Sequence, residues 1–124
     1  MSGKILLFGF DSLLNVLVLG KSMEPYGVEL VPVARTDYNK TLAALAGLNS
    51  APRAVMPYSG GPLGGRMLVL CGLEDRLEEL LPALRQAGVG PECLKAVLTP
   101  RNREWNAVML YGELLREHME MQGK

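Results

Sequence analysis

Residues 48–65 read LNSAPRAVMPYSGGPLGG, and they are the only long irregular stretch in the chain. The final seven, SGGPLGG (59–65), hold four glycines and a proline, a composition that forces loop. AVMPY (54–58) reads as a brief extended piece. Regular apolar patterning stops at the start of this segment and resumes at its end. The fold therefore turns on its path. If it crosses the domain once, the strands after it run opposite to the strands before it.

Upstream, KILLFGF (4–10) is a short continuous apolar run, the pattern of a strand covered on both faces. DSLLNVLVLGKSM (11–23) predicts a helix capped by Asp11 or Ser12 and stopped by Pro25 and Gly27. VELVPVA (28–34) predicts a second strand. Pro32 lacks the N–H that an interior ladder position needs, so this strand belongs at an edge. TDYNKTLAALAG (36–47) predicts a short helix closed near Gly47.

Downstream the order repeats. RMLVLCGL (66–73) is a strand, and EDRLEELLPALRQAG (74–88) an amphipathic helix with Leu77, Leu80, Leu81 and Leu84 on one face. CLKAVLTP (93–100) is a strand, and NREWNAVMLYGELLREHMEM (102–121) the longest helix. The apolar face of that helix would carry Trp105, Val108, Met109, Gly112, Leu115 and Met119. Laid over each other with a shift of 63 positions, the halves match Leu7 with Leu70, Gly9 with Gly72, and Leu14 and Leu17 with Leu77 and Leu80. Thr36 and Asn39 fall on Thr99 and Asn102. The pattern predicts a single α/β domain over residues 1–124. Its parts are a βαβα unit (4–47), a Gly/Pro-rich linker (48–65) and a second βαβα unit (66–122). The sheet is expected to be four-stranded and mostly parallel, flanked by helices; the alternative is a ferredoxin-like split sheet with extra helices.

The chain has 124 residues, 48% of them hydrophobic and 21% charged, enough to build one core without staples. Thirteen basic residues balance thirteen acidic ones, which argues against a nucleic-acid backbone as partner. Cys71 and Cys93 read as buried thiols, since a disulfide scaffold of this size uses more cysteines. No C-x-x-C occurs and His118 stands alone, so no metal or cofactor is expected. The N-terminal apolar run is interrupted at Gly9, Asp11, Ser12 and Asn15. It is too short to span a bilayer and has no cleavage pattern, so the protein is expected in the cytoplasm.

Ligands of parallel sheets bind beyond the C-terminal ends of the strands. If the four strand exits converge, Thr36, Asn39, Thr99, Arg101 and Asn102 would face a shared space. Arg101 and Arg103 would then favour a small anion. The competing reading makes each Thr a helix cap, with Pro100 at a first helical position. Asp11 and Asp75 would form a carboxylate pair in an enzyme, or cap helices in a protein that is not one. No nucleophile has a visible base partner, and neither G-x-S-x-G nor G-K-[ST] is present. Trp105, Met109 and Met119, with Met121 beyond, would suit a partner surface if exposed and a core if buried.

MLVLCGL, the leucine-rich helix and KAVLTPRNREWNAVMLYGELLREH together resemble a small bacterial family, domain of unknown function 3783. The resemblance covers about residues 66–120. It is carried by Lys95, Thr99, Asn102, Trp105, Leu114, Glu117 and His118. It implies a compact bacterial cytosolic domain and no chemistry. The sequence thus points to a non-enzymatic binding or regulatory domain acting through protein contacts, with a homodimer through the last helix as its simplest form. A small anionic ligand at the strand ends is the alternative, and an enzyme of unrecognised type the third.

Overall fold

A computed structural model of the chain describes residues 3–48 and 56–122. Residues 54 and 55 of the expected extended piece, and the Met121 side chain, lie outside the described residues. In order, the elements are β1 (Lys4–Phe8), α1 (Leu13–Met23), β2 (Glu29–Pro32), α2 (Leu42–Leu45), β3 (Met67–Cys71), α3 (Leu77–Gln86), β4 (Leu94–Val97) and α4 (Ala107–Gln122). Short 3₁₀ turns at 24–26, 35–37 and 74–76 join them.

The four strands form one sheet in the order β2-β1-β3-β4. β1 runs parallel to β2, and β3 parallel to β4, while β1 and β3 meet antiparallel at the centre. The sheet is mostly parallel, and each βαβα unit contributes one parallel pair. Between the units the strand direction reverses: β3 begins at the end of the sheet where β1 finishes, Met67 facing Phe8. Pro32 sits on the edge strand β2, where its missing N–H breaks no interior ladder.

The central pairing carries an internal twofold. Leu6 lies opposite Val69, which is the residue 63 positions on, and the flanking pairs Ile5–Leu70 and Leu7–Leu68 are arranged symmetrically about them. The symmetry slips at the outer strands. Lys4 pairs with Glu29, 25 residues on, whereas Met67 pairs with Leu94, 27 residues on. The second unit takes two more residues to travel from strand to strand. A slip of two preserves the alternation of faces, so both halves still bury the same sides.

Alternate residues of β1 and β3 feed two separate cores. Ile5, Leu7, Leu68 and Leu70 pack against Leu19 and Met23 of α1 and Leu80 and Leu84 of α3. Leu6, Phe8, Met67 and Val69 pack against Leu42 and Ala46 at α2 and Ala107 and Leu110 of α4. Helices thus cover both faces of the sheet, and β1 and β3 are sealed on both sides. Burying each of these large side chains is worth about 1.5–3 kcal/mol. Arg76 ties the layers at one rim, its guanidinium donating to the Tyr26 carbonyl at 2.8 Å.

Ser12 caps α1, its hydroxyl accepting from the Asn15 amide at 3.3 Å. The two later helices start further on than the Thr-x-x-Asn spacing predicts. Thr41 caps α2 by accepting from Ala44 N, and Asn106 caps α4 by accepting from Met109 N. The expected apolar face of α4 is not the face that meets the sheet. Ala107, Leu110 and Leu114 turn inward, and the 108/109/115/119 face turns out to solvent.

Candidate functional site

The antiparallel centre decides what the strand exits can share. β1 and β2 end at one edge of the sheet, and β3 and β4 at the opposite edge. The convergence of all four exits, expected from a wholly parallel sheet, does not occur. Thr36 and Asn39 follow β2, and Thr99, Arg101 and Asn102 follow β4, so the two sets leave opposite edges. Asp11 and Asp75 are separated for the same reason, and no carboxylate pair forms between them.

The two Thr-x-x-Asn turns are not equivalent even under the internal twofold. Leu7 O accepts from Val33 N, and Leu70 O accepts from Leu98 N. Leu7 and Leu70 are 63 residues apart, but Val33 and Leu98 are 65 apart. The structural counterpart of Thr36 is therefore Arg101, not Thr99.

Local bonding confirms the difference. Thr99 and Asn102 close on each other: Thr99 N donates to Asn102 Oδ1 at 2.9 Å, and Asn102 N donates to Thr99 Oγ1 at 3.1 Å. Asn102 Nδ2 then donates to the Val97 carbonyl at 3.1 Å, fastening the turn to the end of β4. Asn102 is the one buried polar side chain among the described residues, and its amide is occupied on both sides. In the other turn, Thr36 is exposed, and Asn39 donates only to the Met56 carbonyl at 3.0 Å. Arg101 points away from the strand exit, its guanidinium 5.9 Å from the Trp105 ring.

Each parallel pair has a cavity at its own exit. The β3/β4 cavity, about 490 Å³, is lined by Lys4, Leu48, Cys71, Leu98, Thr99 and Arg103, among others. Its twofold counterpart at the β1/β2 exit, about 660 Å³, has Asp11, Val33, Arg35 and Tyr38 in its wall. Both are of ligand size. Lys4 enters the first cavity because it lies directly across from Cys71 in the central ladder, and its ammonium donates to the Ala46 carbonyl at 3.1 Å. Burial pushes the Cys71 thiol up to about 11; Lys4 opposes that shift and Glu74 adds to it. Burial raises Cys93 as well. Both thiols are free and buried. Burial, helped by Asp11, raises the Tyr38 phenol in the other cavity.

The third feature is the outward side of α4. Met109 is 52% exposed and Met119 63%, with Val108 and Leu115 beside them and Trp105 half-buried at the head of the stripe. Shallow grooves run along it past Gly112 to Arg116 and Glu120. Arg116 is held between Glu113 (2.9 Å) and Glu120 (2.8 Å), which raises the guanidinium and lowers the Glu113 carboxyl. His118 is exposed on the same helix. Among the described residues no group of three or more His, Cys, Asp or Glu is placed to hold a metal.

Residues 66–121 match the family model described as Domain of unknown function (DUF3783). The chain carries a DUF3783 domain. No curated protein and no solved structure matches it. The DUF3783 segment spans β3, α3, β4 and α4, so it holds one parallel pair, one exit cavity and the apolar stripe of α4. Several residues that carry the resemblance to DUF3783 have structural work. Lys95 donates to the carbonyls of Gly90 and Cys93, pinning the loop into β4. Thr99 and Asn102 close the turn out of it, and Leu114 packs inward. Trp105, Glu117 and His118 are left on the outer surface or its margin. No helix among the described residues of the DUF3783 domain or its N-terminal partner is long and apolar enough to cross a membrane.

Three features escape a reading of the sequence. The caps Thr41 and Asn106 were masked by better-spaced neighbours. Lys4 and Arg103 join only through the fold. Finally, Leu13 and Leu14 of α1 are 74% and 69% exposed, with Leu17 and Val18 also outside. A signal for that patch was present, because α1 is apolar nearly all the way round and one layer can cover only one side.

Proposed function

We propose that this chain is a non-catalytic binding module that self-associates through the outer face of α4. The observation that carries the reading is that α4 outruns its own domain. Its inward contacts end at Leu114, and every residue from Leu115 to Glu120 is exposed. Two turns of free helix that present Leu115 and Met119 to water are marginal on their own. They are stabilised by something packed against them.

A second copy is the occupant the pattern favours. The stripe is symmetric about Gly112. Met109 and Leu115 lie three residues to either side of it. In an antiparallel crossing of two α4 helices, Met109 meets Leu115 of the second copy. Such self-complementarity is what a twofold interface requires. A Cβ built on Gly112 meets nothing within 4 Å, so no packing inside the chain explains a glycine there. Mid-helix it costs about 1 kcal/mol relative to Ala, and at the crossing point it lets two helix axes approach closely. The apolar patch of α1 spans only residues 13–18, against 108–119 here.

Sixteen residues make α4 about 24 Å long. That contact alone falls short of the ~800 Å² per partner of a standard interface, so the dimer is expected to dissociate at micromolar concentration. Sedimentation across that range should show a monomer–dimer equilibrium. Met109→Glu should abolish it, and Gly112→Cys should give a disulfide-linked dimer on mild oxidation, the native thiols being buried. A chain monomeric throughout, or a dimer lost on Leu14→Glu and kept on Met109→Glu, would overturn the proposal.

A further inference from the structure

We propose that the cavity at the β3/β4 exit binds a small organic monoanion, a carboxylate with a short apolar body, held between Lys4 and Arg103. This site is separate from the outer face of α4 and stands or falls independently of it. The internal twofold supplies the comparison that singles it out. Two cavities occupy corresponding positions at the exits of the two parallel pairs, Gly9 and Gly72 being counterparts in their walls. They differ in charge. The β1/β2 cavity has one cation, Arg35, and one anion, Asp11, and is neutral. The β3/β4 cavity has Lys4 and Arg103 against Glu74 alone, a net single positive charge.

Neither cation is spoken for. Among the described residues, Lys4 and Arg103 form no ion pair. Lys4 spends one N–H on the Ala46 carbonyl, which fixes the direction of the ammonium and leaves two donors. The Arg103 backbone is anchored because its carbonyl accepts from Ala43 N at 2.9 Å. The Thr99 hydroxyl accepts from Asn102 N, so its own O–H remains to donate. Glycines shape the walls. Gly47 and Gly72 both have positive φ, and a Cβ on Gly47 would stand 3.2 Å from the Lys4 ammonium. Leu48, Leu98 and Cys71 supply an apolar lining.

This lining selects for ligand class. Two cations and a hydroxyl suit a carboxylate, and the apolar residues suit a hydrocarbon tail. Glu74 at the rim offsets one positive charge and disfavours a dianion such as phosphate. The other cavity, with no surplus cation, gives such a ligand no reason to bind.

Hexanoate is the probe, titrated into the intact chain while backbone amides are followed by NMR. With hexanoate raised to about 10 mM, ten times a ~1 mM Kd, saturable shifts are expected at Gly47, Gly72 and Thr99. Gly9 and Val33 should stay still. Hexan-1-ol and inorganic phosphate should not saturate. Arg103→Gln should weaken hexanoate at least about tenfold, the value of one lost charge-assisted contact, and Glu74→Gln should tighten it. Lys4→Met, checked for folding by its own amide spectrum, should weaken binding like Arg103→Gln. Absence of saturation overturns the proposal, as do equal binding of hexan-1-ol, equal shifts in both cavities, or unchanged affinity in folded Arg103→Gln.

Discussion

Replacing Asn102 tests most directly whether the Thr99–Asn102 turn is architecture. Its side chain accepts from Thr99 N and donates to Val97 O, at 2.9 and 3.1 Å, in a residue only 8% exposed. Asn102→Ala strands both backbone groups. A stranded buried group costs about 1–3 kcal/mol; because both sit at partly buried positions, the lower half of that range applies to each, giving about 2–4 kcal/mol in all. Thr99→Ala removes only the cap-like bond to Asn102 N and should cost about 1 kcal/mol. Asn102→Asp keeps the acceptor for Thr99 N but turns a carboxylate oxygen toward the Val97 carbonyl. That contact disfavours the ionised form and raises the folded-state pKa above the unfolded ~3.9. The penalty should be near that of Ala at pH 7 and shrink as the pH falls toward 4, because stability from a raised pKa is lost as pH rises. Asn39→Ala, which removes one exposed bond to Met56 O, should cost at most about 0.5 kcal/mol. Urea unfolding followed by far-UV circular dichroism, with m-values held constant, measures all four. Equal costs at Asn39 and Asn102, or an Asp variant insensitive to pH, would refute the reasoning.

Leu110→Ala, at a side chain 2% exposed, should cost about 2–5 kcal/mol in the same assay, while Met109→Ala should cost under about 0.5 kcal/mol and weaken only self-association. Gly9 has φ +78°, and a Cβ there would lie 2.8 Å from the Gly65 carbonyl oxygen. Gly9→Ala should therefore cost more than about 2 kcal/mol, against about 1 kcal/mol for Gly27→Ala, where φ is +66° but the space is open. The Cys71 thiol, raised to about 11 from 9.0, binds its proton more tightly folded than unfolded. Its contribution is complete below pH 9 and lost as the pH climbs to 11, so Cys71→Ala should flatten the alkaline limb of a stability profile by about 2–3 kcal/mol. Iodoacetamide should label neither native cysteine appreciably at pH 7.5 until the chain unfolds.

What could be read without coordinates is what depends on short-range pattern. KILLF and MLVLC declare themselves as buried strands because continuous apolar runs of that length fit little else, and Pro32 announces its edge. The sense of the central pairing is different in kind. Nothing in either run fixes it, since parallel and antiparallel neighbours bury the same residues. The matched Thr-x-x-Asn spacing misleads for a related reason. An ungapped shift of 63 holds across β1 and β3 but lapses by two residues before β4. A two-residue insertion leaves hydrophobic alternation intact and so leaves no trace in the pattern. The sequence names Val108, Met109, Leu115 and Met119 as one apolar face of α4 and leaves open whether it meets the sheet or a partner; they are exposed, whereas Trp105 packs partly against the core. A helix apolar on two sides cannot tell from its own sequence which side the sheet will take.

The two halves differ most in their last helices, and that difference accounts for both candidate surfaces. α2 has four residues and α4 has sixteen. Being short, α2 ends over the N-terminus of β1, where its Ala46 carbonyl takes the Lys4 ammonium and its C-terminal turn walls the β3/β4 cavity. At the other exit Pro62 joins the wall, and the single cation there, Arg35, is balanced by Asp11. α4, being long, covers its share of the sheet and then continues without support. A fully symmetric molecule would have two equal cavities and two equal helices. Shortening one helix closes a charged cavity at one exit, and lengthening the other leaves an unpartnered apolar stripe. The difference in length between α2 and α4 is thus enough to give a nearly twofold scaffold two distinct candidate sites.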